Sequence, residues 1–342
     1  MILPHRRTLF ARHGLAPQAR LSRYGRTIEQ ALNVSQTDRS LAGAMAQTMK
    51  SQTTGYLFAL FTFTVFATQD GISKHLSDHY PPILITMIRY WAFAGFAIIV
   101  AARSRPGLRV IVGSQRLVLQ IVRGLLLSSQ IAVALYAFKT IGFIHSQAIF
   151  ASAPLVVAVL SVPILGEVVG WRRWTAIGLG LCGVLIILMP DPSGFDVHLL
   201  IPVLTAVTMA VYSVITRLVS RDDDPLTSFF YTGTVGALLM TLIGPFYWTE
   251  IAPVDWLWLA AICTTGIVSH FCLIKAYEHL DAVLVQPFSY FQLVLTSFMG
   301  VIVFGETLQW NVVLGSVIVV GAGLFTIWRE AVAHRSRKTR GA

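Results

Sequence analysis

An aspartate and a lysine four residues apart, Asp70 and Lys74, interrupt an apolar run that begins near Gly55. In water they would form an ordinary i,i+4 surface pair. In a bilayer each charge needs a partner or a polar cavity, because an unpaired Asp or Arg at the centre of a membrane helix costs ~2.5–3.5 kcal/mol. Asp70 lies ~22 Å along a helix starting at Gly55, and Arg89 lies ~9 Å into the next helix, running the other way. The two reach similar depths. A carboxylate there can accept hydrogen bonds, bind a cation or carry a proton, and a guanidinium can grip a carboxylate bidentately. The sequence predicts a network of Asp70, Lys74 and Arg89, with two roles open to it: a lock between helices, or direct contact with a solute or ion.

Other polar residues fall singly within apolar runs. Gln130 and Gln147 offer both donor and acceptor, Gln286 stands where Gln147 recurs later in the chain, and Tyr290 and Gln292 follow. Tyr212 and His270 complete an aromatic and polar set, although a histidine in a span often serves only as an interhelical hydrogen-bond partner. Arg123 has two openings, a solute carboxylate or a lipid headgroup. Pro154 and Pro287 free backbone carbonyls beside these polar groups, or simply start helices where an amide is unpaired anyway. Glu167 and Glu306 each follow a glycine at a helix end and suit the amides of a neighbouring helix start, as structural supports or gates.

The medium around these residues follows from composition. Of 342 residues 55% are hydrophobic and only 12% charged, about half the charge of a soluble domain. Apolar stretches of membrane-crossing length recur at residues 55–74, 83–102, 116–137, 145–165, 171–189, 197–218, 226–247, 255–275, 283–303 and 309–328. Barrel strands would be shorter and alternate in polarity, which runs such as AIGLGLCGVLIILM do not. The fold expected is therefore an all-alpha membrane protein with ten transmembrane helices.

The net charge of +10 does not mark a nucleic-acid binder. Basic residues gather at Arg103 to Arg116, at Arg172 and Arg173, at Arg217 and Arg221, and from Arg329 to Arg340. These are the N-terminal side, alternate loops and the C-terminal tail, which is the positive-inside pattern and puts both termini in the cytoplasm of an inner-membrane protein. Residues 1–50, with eight basic and two acidic side chains, read as a disordered basic tail, and 331–342 as a second. Membrane lipid is an expected partner, with the chain a monomer or weak homodimer.

The chain also repeats itself. Ala137, Gln147, Gly166, Glu167 and Trp171 recur in one register as Ala276, Gln286, Gly305, Glu306 and Trp310. Residues 51–190 and 191–330 thus read as two five-helix units. An odd number of spans inverts the second copy, the arrangement that supports alternating access. Aligning Pro82 with Pro225 puts Thr232 at the position of Arg89, so the charged set has no copy in the second half.

GEVVGWRRWTAIGLGLCGVLII and GETLQWNVVLGSVIVVGAGLFTI, with the D-x-x-x-K segment and MIRYW, resemble the EamA-type proteins of the drug/metabolite transporter superfamily over about residues 52–330. The resemblance implies two homologous domains and secondary transport of a small organic metabolite or drug-like solute through a central cavity. A solute channel or a membrane-embedded enzyme is the alternative. With no G-x-x-x-x-G-K-[ST] loop, no H-E-x-x-H motif and no converging acid, base or metal set, neither enzyme activity nor any cofactor is expected.

Overall fold

Without water to solvate the backbone, a chain in lipid satisfies its amides within helices, and most of the described residues here are helical. A computed structural model describes residues 53–104, 107–166, 170–188, 196–280, 285 and 288–340. Twelve helices follow in order: α1 (53–79), α2 (Pro82–Arg103), α3 (Leu108–Val112), α4 (Leu117–Thr140), α5 (Phe143–Phe150), α6 (Ala153–Leu165), α7 (Trp171–Ile187), α8 (Leu200–Val219), α9 (Pro225–Ile243), α10 (Asp255–His279), α11 (Phe288–Ile302) and α12 (Trp310–Arg340). Residues 55–342 form one compact unit.

Among the described residues, seven helices are both long and apolar enough to cross a membrane, counting Phe143–Leu165 as one span. The chain is thus an all-alpha, multi-pass membrane protein. The other three predicted spans are helical but fall outside that set. Two are shorter apolar helices, Trp174–Ile187 and Phe288–Ile302. The third is α1, whose apolar run is interrupted by Gln69, Asp70 and Lys74, the residues that raised the first question.

Several predicted boundaries shift. The fourth predicted span is two helices, α5 and α6, hinged at Ala151 and Ser152. Pro154 sits in the first turn of α6, where its missing amide costs nothing, and at the same joint the Ser152 amide and hydroxyl donate to the Ile149 carbonyl, at 3.0 and 2.6 Å. Pro163 is carried inside α6. The last helix runs on to Arg340 rather than ending near 328, with no Gly or Pro between Gly323 and Gly341 to stop it and basic side chains that suit a helix C-terminus. The basic tail expected at 1–50 lies outside the described residues.

The helices pack through small residues, as membrane interfaces do. At the crossing of α7 and α12 a methyl group on Gly315 would lie 2.5 Å from the Gly183 carbonyl oxygen, and one on Gly183 would lie 2.9 Å from that of Gly315. Only glycine lets these backbones meet. Outward faces carry Phe246, Phe298, Leu185 and Leu257, all exposed as lipid-facing side chains would be.

Glu306 fixes a helix start. Its carboxylate accepts hydrogen bonds from the Phe143 and Ile144 amides, at 2.6 and 2.8 Å, which are unpaired donors at the head of α5. Gly142 keeps φ at 94° there, and a side chain on it would crowd the Glu306 carboxylate. Glu306 thus sits where the sequence placed it, at a neighbouring helix start; Glu167 and Pro287 lie outside the described residues. Two predictions follow from this packing. Gly315→Ala should push α7 from α12 and cost ~1–3 kcal/mol, read as a lower unfolding midpoint in detergent. Glu306→Ala, stranding two amides, should cost ~2–4 kcal/mol, with Glu306→Gln losing less.

Candidate functional site

Asp70 lies in α1 between α5 and α11. Its Oδ2 accepts two amide hydrogen bonds, from Gln147 Nε2 at 2.8 Å and from Gln292 Nε2 at 2.7 Å. Helix periodicity explains the meeting: the α5 segment ahead of the hinge and the middle of α11 both face α1, and each presents its glutamine there. Asp70 stays partly accessible while Gln147 is buried, so one carboxylate oxygen is saturated with neutral donors and the other remains open to a positively charged group.

Arg89 in α2 feels the charge of Asp70 and stands near Tyr90 and Cys263. It is only partly buried, and it makes no hydrogen bond or ion pair to any described residue. The predicted direct pairing with Asp70 is therefore corrected. The amides of Gln147 and Gln292 take the place of an arginine partner, and the guanidinium keeps its donors unused. Lys74 also leaves the predicted network: its Nζ bonds Asp78 Oδ1 at 2.8 Å, one turn further along α1. An acid of the same helix at i+4 reached it first.

Aromatic rings line the neighbourhood. His270 in α10 meets Phe66 edge-on at 5.4 Å and Phe93 at 5.7 Å, and Phe93 meets Phe229 edge-on at 4.7 Å. The His270 Nδ1 is bound to the Gly266 carbonyl at 2.8 Å, which leaves Nε2 free to face this aromatic group. Tyr90 is buried with its hydroxyl unpartnered, its ring pressed where any side chain on Gly236 would stand. The sequence singled out Gln292 only as a neighbour of Tyr290, and it missed Phe66, Phe93 and Phe229, because apolar rings in a span carry no signal of facing inward.

Of the remaining candidates, Tyr212 and Arg123 connect to this group through the charge they exert on Tyr90, and the others lie apart from it. Tyr290 turns away to α12, its hydroxyl against Gly323 and without a partner. Gln130 makes no hydrogen bond to a described residue, and Gln286 lies outside them. Tyr212 belongs to a second polar cluster, nearer the other end of the bundle. There Arg123 in α4, 3% exposed, donates to the Ser228 carbonyl and, at 2.6 Å, to the Thr232 hydroxyl, with its guanidinium 5.7 Å from the Tyr212 ring. Burial this complete removes it from lipid headgroups. Gln120 bonds Asp223 and Ser228 at 2.9 and 3.0 Å, and Asp223 also accepts from the Ser114 hydroxyl at 2.5 Å and the Gln115 amide at 2.8 Å. Burial alone would raise the Asp223 carboxyl, but these donors outweigh it and hold the group below the usual carboxylate range. Its contacts are thus complete at neutral pH and fade only as acid protonates it.

Among the described residues no group of three or more His, Cys, Asp or Glu could hold a metal ion. A multi-pass helical bundle with a charged and aromatic group in its interior is the architecture of a membrane carrier. The EamA-like transporter family model matches residues 53–189 and again 197–328, and the chain belongs to that family. It is 24% identical over 295 residues to an S-adenosylmethionine uptake transporter of Rickettsia prowazekii, covering 86% of this chain and 99% of the relative. It is 28% identical over 297 residues to a riboflavin transporter of Vibrio cholerae, covering 83% and 96%. A solved crystal structure matches the fold at a TM-score of 0.54 with 19% identity, over 80% of this chain and 95% of that one. The protein is a secondary transporter of a small organic solute, not an enzyme.

The site predicts a division between the two charges of the opening pair. Asp70→Asn should lower transport at least about tenfold at normal membrane level, because an amide cannot balance a cationic group. Lys74→Ala, whose ammonium pairs with Asp78 and not with Asp70, should change it less than about twofold. Initial uptake rates, normalised to surface expression, decide both.

Proposed function

We propose that this chain carries a zwitterionic solute with a flat ring, of the S-adenosylmethionine kind, by alternating access between two inverted five-helix repeats. The observation that carries the cargo reading is Arg89: a guanidinium inside the bundle with all its donors unused, beside a carboxylate already steadied by two glutamines. Arg89 suits a carboxylate, the open oxygen of Asp70 suits an ammonium or sulfonium, and Phe66, Phe93, Phe229 and His270 suit a ring. A riboflavin-like solute would use the aromatic wall and leave both charges idle.

Several features support the repeat. The family model matches each half. Gly166 and Gly305, in one repeat register, both adopt the left-handed conformation, with φ of 71° and 65°. Pro82 and Pro225 both start helices, as do Trp171 and Trp310. The closest packing joins α7 to α12 and α2 to α9, each helix against its own counterpart, which is what a pseudo-two-fold axis through those pairs would give. Ten spans, the inner membrane and cytoplasmic termini fit the alternating basic loops, and nothing in the reading needs more than a monomer or weak homodimer.

Purified protein in liposomes tests it. Preloaded S-adenosylmethionine should drive saturable counterflow of labelled S-adenosylmethionine, and excess riboflavin should compete poorly. Arg89→Gln should raise the half-saturating concentration by about tenfold or more, through loss of a bidentate carboxylate contact. Riboflavin counterflow that survives Arg89→Gln would replace this cargo with a neutral heterocycle.

A further inference from the structure

The two repeats place equivalent residues at opposite ends of the bundle. In the register that pairs Trp171 with Trp310, Arg116, just before α4, and Gln120 and Arg123 within it correspond to Asp255, Leu259 and Ile262 of α10. In the register that pairs Pro82 with Pro225, Asp223 and Ser228 correspond to Tyr80 and Ile85. Asp223 ties the loop ahead of α9 to the chain entering α4, through Ser114, Gln115 and Gln120. Tyr80 does the same for the loop ahead of α2 and the chain entering α10: its hydroxyl donates to Asp255 Oδ2 at 2.6 Å and accepts from the Ala252 amide at 3.0 Å.

We infer that these equivalent contacts are the two gates of the carrier, an Asp223 latch closing the α4 to α8 and α9 end and a Tyr80 latch closing the α10 to α1 and α2 end. Behind the Tyr80 latch the counterpart positions are apolar. Tyr80, Ile85, Leu259 and Ile262 lie in one buried cluster with Ile72, Leu76 and Leu135. Behind the Asp223 latch they are polar, and two buried atoms go unpaired, Gln120 Oε1 and Arg123 Nε. The same mechanical joint has been built twice from opposite chemistries.

The difference sets which gate opens more readily. Parting the Tyr80 end exposes a cluster of large apolar side chains, which water disfavours. Parting the Asp223 end gives water to Gln120 Oε1 and Arg123 Nε, which the closed state leaves unsatisfied, and so recovers part of the cost of the bonds broken. The Asp223 gate is therefore the looser one. Both latches are engaged in this structure.

Cys263 provides a native reporter, since it lies beside Arg89 and its thiol approaches the Ile88 carbonyl. The other two cysteines, Cys182 and Cys272, can be replaced by serine. The measurement is the rate at which a membrane-impermeant cationic methanethiosulfonate modifies Cys263 in right-side-out and in inside-out vesicles. It needs no knowledge of the cargo. The sidedness rests on the inverted-repeat orientation proposed above, with Asp223 on the cytoplasmic side.

Asp223→Ala should raise the rate from the cytoplasmic face by about tenfold and leave the outer face unchanged. Ser114→Ala, a gentler cut in the same latch, should do so by a smaller factor. Tyr80→Phe should raise only the outer rate. In the parent protein the cytoplasmic rate should exceed the outer one. Side selectivity with the faces exchanged would support the latches and overturn the orientation instead. If folded variants, judged by monodisperse elution, move both rates together or move neither, the latch assignment is wrong. Failure of S-adenosylmethionine counterflow alongside side-selective labelling would remove the cargo and keep the gates.

Discussion

A carboxylate held in the interior of a membrane protein by two neutral amides is the constraint on which the rest depends. Asp70 carries charge where charge is expensive, and the chain meets that cost with Gln147 from α5 and Gln292 from α11 instead of with the nearest base. Neutral donors stabilise an anion without cancelling it. An arginine partner would have closed the site on itself; two glutamines leave a net negative centre, and they leave Arg89 a net positive one. The polar interior is therefore divided into a negative and a positive pole, with neutral amides standing between them.

The same carboxylate ties three elements that a transport cycle must coordinate. Gln147 stands just ahead of the break at Ala151 and Ser152, where α5 gives way to α6. Gln292 belongs to the other half of the chain. Any motion that separates the halves stretches one of the two bonds to a single oxygen, and a cation arriving at Asp70 alters the balance between them. Coupling of cargo to shape needs no longer route than this.

The sequence made the membrane medium and the helices legible, because both depend on apolar length sustained over many residues, and it offered the recurrence of Ala137 through Trp171 in Ala276 through Trp310 as a reading of its two halves. It named Asp70, Arg89, Gln147 and His270, since a polar residue in lipid must be explained. It misjudged partners. Lys74 was assigned to Asp70 through shared proximity, while the structure gives it Asp78 at the same spacing on the other side; the spacing rule is symmetric, and only the rotation of α1 against its neighbours decides. Tyr290 and Gln292 differ by two positions and so point to different helices, a distinction that needs the packing of α11. The inward phenylalanines were invisible for the opposite reason, being unremarkable everywhere in such a chain.

Glu306 has a further meaning. It lies in the second half, yet the helix whose first amides it holds, α5, lies in the first. Neither half therefore contains everything its own helices need. Joining the two halves in one chain is what keeps this glutamate within reach of the amides it holds.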